Sequence, residues 1–421
     1  MTDSSTLNQT GRHGRWLAAL LLVLTVFGPI SMDLYLPALP ALTAELGAKT
    51  STAQLTVTAC LLGLAAGQLV AGPLSDRFGR RKPLLIGVAA YVVVSTLCAM
   101  SPTVEVLVLA RLVQGVAGGV GIVIAQAAGR DVYDGGRLIR FYGRLTVIGG
   151  FAAIVGPLVG GALSAVMDWR GLFQVLAVIG AAILAWVVVG FGETLPAGSR
   201  TPGGFGQVGR DMRVLFRDRG FVGAVVVQGF VYAALFAYLS GATYVLQGVY
   251  GLSPQQYAMA FGLNSAGFMV FGYLAGRSSE RWSITGTLMI GLAMCAAGAG
   301  GILTAGITHL PLPAVMVSLL LLVSGTAVTS PPSTTIALAG YPTIAGAASS
   351  FLGAARFALG GVAAPLVGLA GALSILPLGL VTAAAIILAA ATALVLLPRA
   401  SHPAAPERPS SETPVPEHSH H

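Results

Sequence analysis

Gly72-Pro73-Leu74-Ser75-Asp76-Arg77-Phe78-Gly79-Arg80-Arg81-Lys82 is the stretch that decides the fold. It is a short polar loop between two long apolar runs. Asp76, Arg77, Arg80, Arg81 and Lys82 carry charge in a chain that is only 9% charged. Each of them is expensive to take out of water, so the loop sits at a membrane surface. Its cations mark that surface as cytoplasmic.

Working outward, composition agrees. Of 421 residues, 55% are hydrophobic and the mean hydropathy is +0.83. That excludes a soluble domain of this length. Apolar runs of about twenty residues, each long enough to cross a bilayer, fall near 16–37, 51–73, 83–101, 105–128, 141–165 and 171–191. A second set falls near 220–247, 254–276, 283–306, 312–336, 346–369 and 372–397. The expectation is an all-α integral membrane protein with twelve transmembrane helices in two pseudo-symmetric six-helix bundles. Residues 1–14 read as a disordered cytoplasmic terminus, 15–192 as the first bundle and 220–397 as the second. Between them, 193–219 reads as a cytoplasmic linker with a short amphipathic helix around 207–216. The Pro- and Ser-rich tail, 398–421, reads as disordered and cytoplasmic.

Charge placement tests this map. Lys49 and Arg170 fall outside, and Arg111 and Arg356 fall within the membrane. Every other Lys and Arg lies on one side, together with both termini. The formal charge of +8 does not mean a nucleic-acid partner, because the cations lie in short loops and not on one face. Cys60, Cys98 and Cys295 lie within apolar runs and read as packing residues. The first run is too long for a removed signal peptide and has no small-residue cleavage site. No metal cluster, nucleophile–base set, phosphate loop or nucleotide-binding domain stands out, so the chain does not read as an enzyme.

The two halves repeat. Gly272-Tyr273-Leu274-Ala275-Gly276-Arg277-Ser278-Ser279-Glu280-Arg281 aligns with the opening stretch, keeping its Gly, its Leu and two of its Arg residues. Gly276 takes the place of Asp76. Parallel repeats of this kind put a substrate cavity between the halves near the midplane.

Asp33 is the one carboxylate well inside the bilayer. A charge at that depth costs at least ~2.5 kcal/mol, so it must face water, find a cation or take up a proton. Arg111 is the natural partner, because at 1.5 Å rise per residue the two depths differ by roughly 3 Å. The pair reads in two ways. It is a fixed ion pair joining the first run to the fourth, or a proton-coupling pair whose separation and wetting change during transport. Arg356 lies about 16 Å deep by the same rise. It packs against backbone carbonyls, tunes Asp33, or attracts an acidic or strongly dipolar substrate. Tyr35, Tyr142, Tyr232, Phe236 and Tyr238, with Gln126, Gln228, Asn264 and Ser265, suit a wall for lipophilic small molecules. Taken singly, each suits ordinary helix packing equally well.

The opening stretch resembles the Gly-x-Leu-x-Asp-Arg-x-Gly-Arg-Arg signature of the major facilitator superfamily, with Gly72, Asp76, Arg77, Gly79 and Arg80 at the family spacing. The resemblance implies a cytoplasmic latch that opens and closes with the transport cycle. It puts Asp76 near a helix N-terminus, where the dipole favours a carboxylate. Arg111-Leu112-Val113-Gln114-Gly115 resembles the Arg-x-x-Gln-Gly motif associated with proton coupling. Gly143, Ala152, Gly156, Pro157, Gly160 and Gly161 resemble the antiporter signature of exporters, with Ala152 departing from its glycine. Asp33-Leu34-Tyr35-Leu36-Pro37-Ala38-Leu39-Pro40 and Arg130-Asp131-Val132-Tyr133 are similar to signatures of the bicyclomycin/chloramphenicol resistance (Bcr/CflA) drug exporters. So is the small-residue stretch 345–350. The likeness spans about 15–397. It implies proton-coupled export of drug-like small molecules by a monomer in the cell membrane, needing no cofactor beyond the proton gradient. Asp33 and Arg111 are the implied coupling residues, and Asp33, Tyr35, Gln114, Tyr142, Tyr232, Phe236, Asn264 and Arg356 the expected substrate contacts. A transporter of a metabolite or sugar, including an importer, remains the alternative.

Overall fold

A long apolar segment in a bilayer has no water to satisfy its backbone, so it closes its own hydrogen bonds as a helix. The computed structural model describes residues 4–133, 135–196, 198, 200, 204–278, 283–341, 344–368 and 374–397. Among them there is no strand. The first half comprises α1 (Ser4–Asp33), the short α2 (Leu39–Glu45), α3 (Thr50–Phe78), α4 (Arg81–Ala99), α5 (Val104–Val132), α6 (Gly135–Leu163) and α7 (Trp169–Gly190). The linker carries α8 (Gly204–Leu215). The second half comprises α9 (Arg219–Tyr244), α10 (Pro254–Ser278), α11 (Ile284–Thr308), α12 (Leu312–Leu338), α13 (Ala345–Gly368) and α14 (Leu376–Leu396). Eleven of these helices are long and apolar enough to cross a membrane. α6 is the remaining long helix and packs between α1 and α10, which completes six per half. Large apolar side chains such as Ile86, Val166, Val189 and Leu394 stand exposed around the outside, as a lipid-facing surface requires.

Three boundaries differ from the sequence reading. α1 is helical from Ser4, although its first residues are polar and were expected to be irregular. It stops at Asp33 and not at 37, because Pro37 and Pro40 lack the amide that would continue it. The chain passes instead through a 3₁₀ turn at Leu36–Ala38 into α2. Finally, helix runs through most of the opening stretch, and only Gly79 and Arg80 separate α3 from α4. Gly79 makes the turn at φ +85°, a conformation that side chains resist. The tail from 398 onward lies outside the described residues.

α3 and α5 meet backbone to backbone. Gly63 and Gly67 on α3 face Gly115 and Gly119 on α5. A Cβ on Gly115 would strike the Cys60 carbonyl and lie 3.0 Å from the Gly63 Cα. Between the halves, α3 packs on α13 and α6 on α10. Their ends away from the 72–82 stretch are tied together. Thr43 Oγ1 meets Tyr244 Oη at 2.7 Å, Thr243 donates to the Leu36 carbonyl at 3.0 Å, and Gln247 donates to the Pro37 carbonyl at 3.1 Å. Gln54 donates to the Ser240 carbonyl at 3.3 Å and Gln255 to the Gly161 carbonyl at 3.3 Å. This far end is shut.

Candidate functional site

At the basic end, Arg80 is the centre of a polar cluster. Its side chain is buried. Nε donates to Asp131 Oδ2 at 2.8 Å, and Nη1 donates to Ser75 Oγ at 2.7 Å and Asp76 Oδ1 at 2.5 Å. Asp76 lies in the last turn of α3 and Asp131 in the last turn of α5. The expected place for Asp76 at a helix N-terminus is therefore corrected. Carboxylates at helix C-termini face the negative end of the dipole, and Arg80 offsets that.

The carboxylate at a helix N-terminus is Glu193, from the linker. It accepts from the Arg80 amide at 2.8 Å and the Arg81 amide at 3.3 Å, which cap α4. Thr194 extends the clamp to Asp131 at 3.1 Å. Arg77 turns away and lies over the Phe78 ring at 5.2 Å, and Gly72 has open space around it. Sequence reasoning passed over Glu193, since nothing local pairs a linker acid with a turn more than a hundred residues earlier. Partial burial pushes the Glu193 carboxyl up, but the Arg80, Leu195 and Arg81 amides, with Arg200 nearby, outweigh that and hold it below its ordinary 4.5. A lowered carboxylate stabilises the fold fully above its unfolded value, and the contribution disappears as pH falls through the folded one. Thermal melts of wild type and Glu193→Gln are therefore expected to differ above pH 4.5 and to converge below it. A gap that is constant with pH would contradict this role.

Arg111 is fully buried. Its Nη1 donates to Gln114 Oε1 at 2.5 Å and to the Ser31 carbonyl at 3.2 Å. Its guanidinium lies 4.4 Å from the Tyr35 ring and 5.5 Å from the Phe173 ring. Gln114 passes the network to Ser95 at 2.7 Å, and Tyr35 binds Thr56 at 3.0 Å. Tyr35 and Gln114 are thus buried in the interior of the first bundle. The expected Asp33–Arg111 pair is not formed. Backbone carbonyl, amide and ring faces hold this cation. Lysine would keep the charge but lose the fork and the flat stacking face. Arg111→Lys is expected to lower the melting temperature of the purified protein while leaving it monodisperse on size exclusion. A wild-type melting temperature in that variant would show that the charge alone suffices.

Asp33 is the only buried carboxylate among the described residues. It closes α1 against α6, where a Cβ on Gly156 would lie 3.0 Å from the Asp33 Cβ. Gly160 abuts the Leu34 carbonyl, and Gly161 faces Pro254 and Ala258 of α10 in the other half. Pro157 is buried beside them. The glycine row therefore lets α6 lie between Asp33 and the second bundle. In the second half, Tyr238 on α9 and Tyr257 on α10 are buried. Asn264 donates to Tyr238 Oη at 3.0 Å. Tyr257 carried no signal in the sequence beyond being an aromatic near a helix start. Tyr142 and Gly143 lie in α6 outside the residues whose side chains are described.

Deeper toward the basic end, α9, α12 and α13 form a second polar cluster. Arg356 Nη2 donates to Thr334 Oγ1 at 3.2 Å, and the guanidinium lies 4.9 Å from the Tyr232 ring. One turn along α9, Gln228 donates to Ser330 Oγ at 3.1 Å. Tyr232 contacts Phe236, and Phe236 contacts Phe357, with ring centroids 6.1 and 5.7 Å apart. The expected contacts therefore separate into three groups. Asp33 and Asn264 are at the far end, Tyr232, Phe236 and Arg356 lie nearer the basic end, and Tyr35 and Gln114 lie behind Arg111.

Comparison with known proteins agrees with this architecture. Residues 21–365 match the family model described as Major Facilitator Superfamily. An uncharacterized MFS-type transporter of Bacillus subtilis is 36% identical over 364 residues, covering 86% of this chain and 90% of the relative. A bicyclomycin resistance protein homolog of Haemophilus influenzae is 26% identical, covering 82% of this chain and 87% of the relative. The crystal structure of a D-xylose-proton symporter superposes with a TM-score of 0.72 at 15% identity, covering 92% of this chain and 98% of that one. At that identity the last likeness concerns the fold alone.

Proposed function

The chain belongs to the major facilitator superfamily of transporters, and from that premise we propose that it exports drug-like small molecules in exchange for protons. The observation that carries this reading is Asp33, a buried carboxylate with no cation paired to it. It sits where the antiporter-type glycines of α6 approach the second bundle. An enclosed, unpaired carboxylate is costly as an anion, so it holds a proton while shut away and yields it when wetted or when a substrate donor reaches it. The resistance protein named among the relatives supports a drug-like substrate.

On this reading the basic end, with both termini, faces the cytoplasm, which positive-inside placement supports. The shut far end is then the outside gate, and substrate enters from the cytoplasm. Export requires the bonds of Thr43, Thr243, Gln247 and Gln54 to break and the halves to rock about the cavity. The latch around Arg80 must tighten at the other end. Substrate leaves outward, Asp33 takes a proton from outside, and the cycle reverses.

The test is transport by reconstituted protein in vesicles of known orientation. With the lumen acidified against the basic face, chloramphenicol-type compounds are expected to accumulate inside, and a protonophore should abolish the accumulation. Accumulation of a sugar such as xylose in place of the drugs would favour the metabolite reading.

A further inference from the structure

The Arg356 cluster is not explained by proton coupling. No carboxylate among the described residues pairs with Arg356, and its Nε has no hydrogen-bond partner. Gln228 is fully buried, yet its Oε1 is also without a partner. Buried polar groups are ordinarily satisfied, and a half-buried cation in a membrane bundle ordinarily finds a counter-charge. Tyr232 and Thr334 hold the guanidinium in place without neutralising it. Arg356 Nε is left as an unused cationic donor, which suits an acidic oxygen of a ligand, and the unused Gln228 Oε1 suits a ligand donor beside it.

α9 provides a ruler between this cluster and the acid. Tyr232 marks the Arg356 cluster, and Thr243, bonded to the carbonyl of Leu36 three residues past Asp33, marks the end of α1. Eleven residues along α9 are about 16 Å, and Asp33 lies within a turn of Leu36. Between the two, Tyr232, Phe236 and Phe357 form a continuous aromatic wall. An unpaired cation and an unpaired acid thus stand at two levels along α9, with aromatic rings on the wall between those levels.

We propose that the substrates are amphoteric aromatic compounds, with a carboxylate or comparable acidic group held by Arg356 and an amine or other donor held by Asp33. The proposal rests on the export reading of the same cavity and adds the substrate class to it. It also gives the exchange a simple logic. The donor end replaces the proton on Asp33, and the acidic end, which would be repelled by an ionised Asp33, is kept apart from it by the aromatic span.

The test is equilibrium binding to purified protein of an aminomethyl-naphthoate with its two groups at opposite ends of the ring system. Two comparison compounds complete the series, the corresponding carboxamide and the acid lacking the amine. Wild type is expected to bind the amphoteric compound about tenfold or more tightly than either, the scale of one lost charge-assisted hydrogen bond. Arg356→Gln should lose the preference for acid over amide and keep its size-exclusion profile. Arg356→Lys should keep much of the preference. Equal affinity of wild type for acid and amide, no binding of the amphoteric compound, or a preference that survives in Arg356→Gln would each overturn the proposal. Binding does not require transport. Discrimination by Arg356 without proton-driven accumulation would defeat the export reading and leave the amphoteric site standing.

Discussion

Asp33→Asn is expected to abolish proton-driven accumulation of substrate while downhill exchange of substrate across the vesicle membrane continues. Asparagine keeps the shape and most of the hydrogen-bonding capacity of the carboxylate but cannot titrate. Asp33 touches α6 at Gly156 without a salt bridge to lose, so the fold has little reason to suffer. The neutral amide also avoids the desolvation cost that an unpaired buried carboxylate carries as an anion. The expected signature is thus a clean split, with uphill transport at the protonophore level, binding of neutral drugs within about tenfold of wild type, and an unchanged melting temperature. Radiolabelled drug uptake with and without an imposed gradient measures the first, and counterflow measures the second. Loss of both activities with a large drop in melting temperature would make Asp33 a structural residue and not a coupling one.

Gly115→Leu is expected to prevent accumulation of folded protein altogether. In the seam between α3 and α5 the first atom added to Gly115 strikes the Cys60 carbonyl, which belongs to the facing backbone and cannot rotate away. Overpacking that side chains absorb costs about 1–3 kcal/mol. Here two helices must separate along their length, breaking the contacts of Gly63, Gly67 and Gly119 as well. Arg111 sits one turn away on the same helix, so any variant that survives should also lose coupled transport. Fluorescence-detected size exclusion of the solubilised membrane fraction reads the outcome, and a wild-type peak at wild-type yield would show that the seam opens freely.

The sequence was most legible where physics acts locally. Hydrophobic runs of bilayer length, cations confined to one side, and the echo of 72–82 at 272–281 require twelve helices in two halves, and that architecture is present. The Arg80 cluster was legible in its residue types but not its wiring. Arg80 was visible, but Asp131 and Glu193 reach it from distant segments, and only the folded chain shows that Glu193 caps α4. Arg111 and Asp33 were at matching depth, yet depth does not fix rotation about the helix axis. Arg111 turns into Tyr35 and Gln114, while Asp33 turns toward α6 and the second bundle. The same missing rotation hid that Tyr35 and Gln114 pack around Arg111. Arg356 was conspicuous as a charge, and its partners Thr334 and Tyr232 emerged only with the packing of α9, α12 and α13.

The most direct test of the central claim is proton release from purified protein in weakly buffered detergent on adding a chloramphenicol-type compound. Wild type is expected to release protons in proportion to binding, and Asp33→Asn to bind without release. Release that persists undiminished in Asp33→Asn, or binding by wild type with no release across the pH range, would contradict the account of Asp33 as the site where substrate and proton exchange.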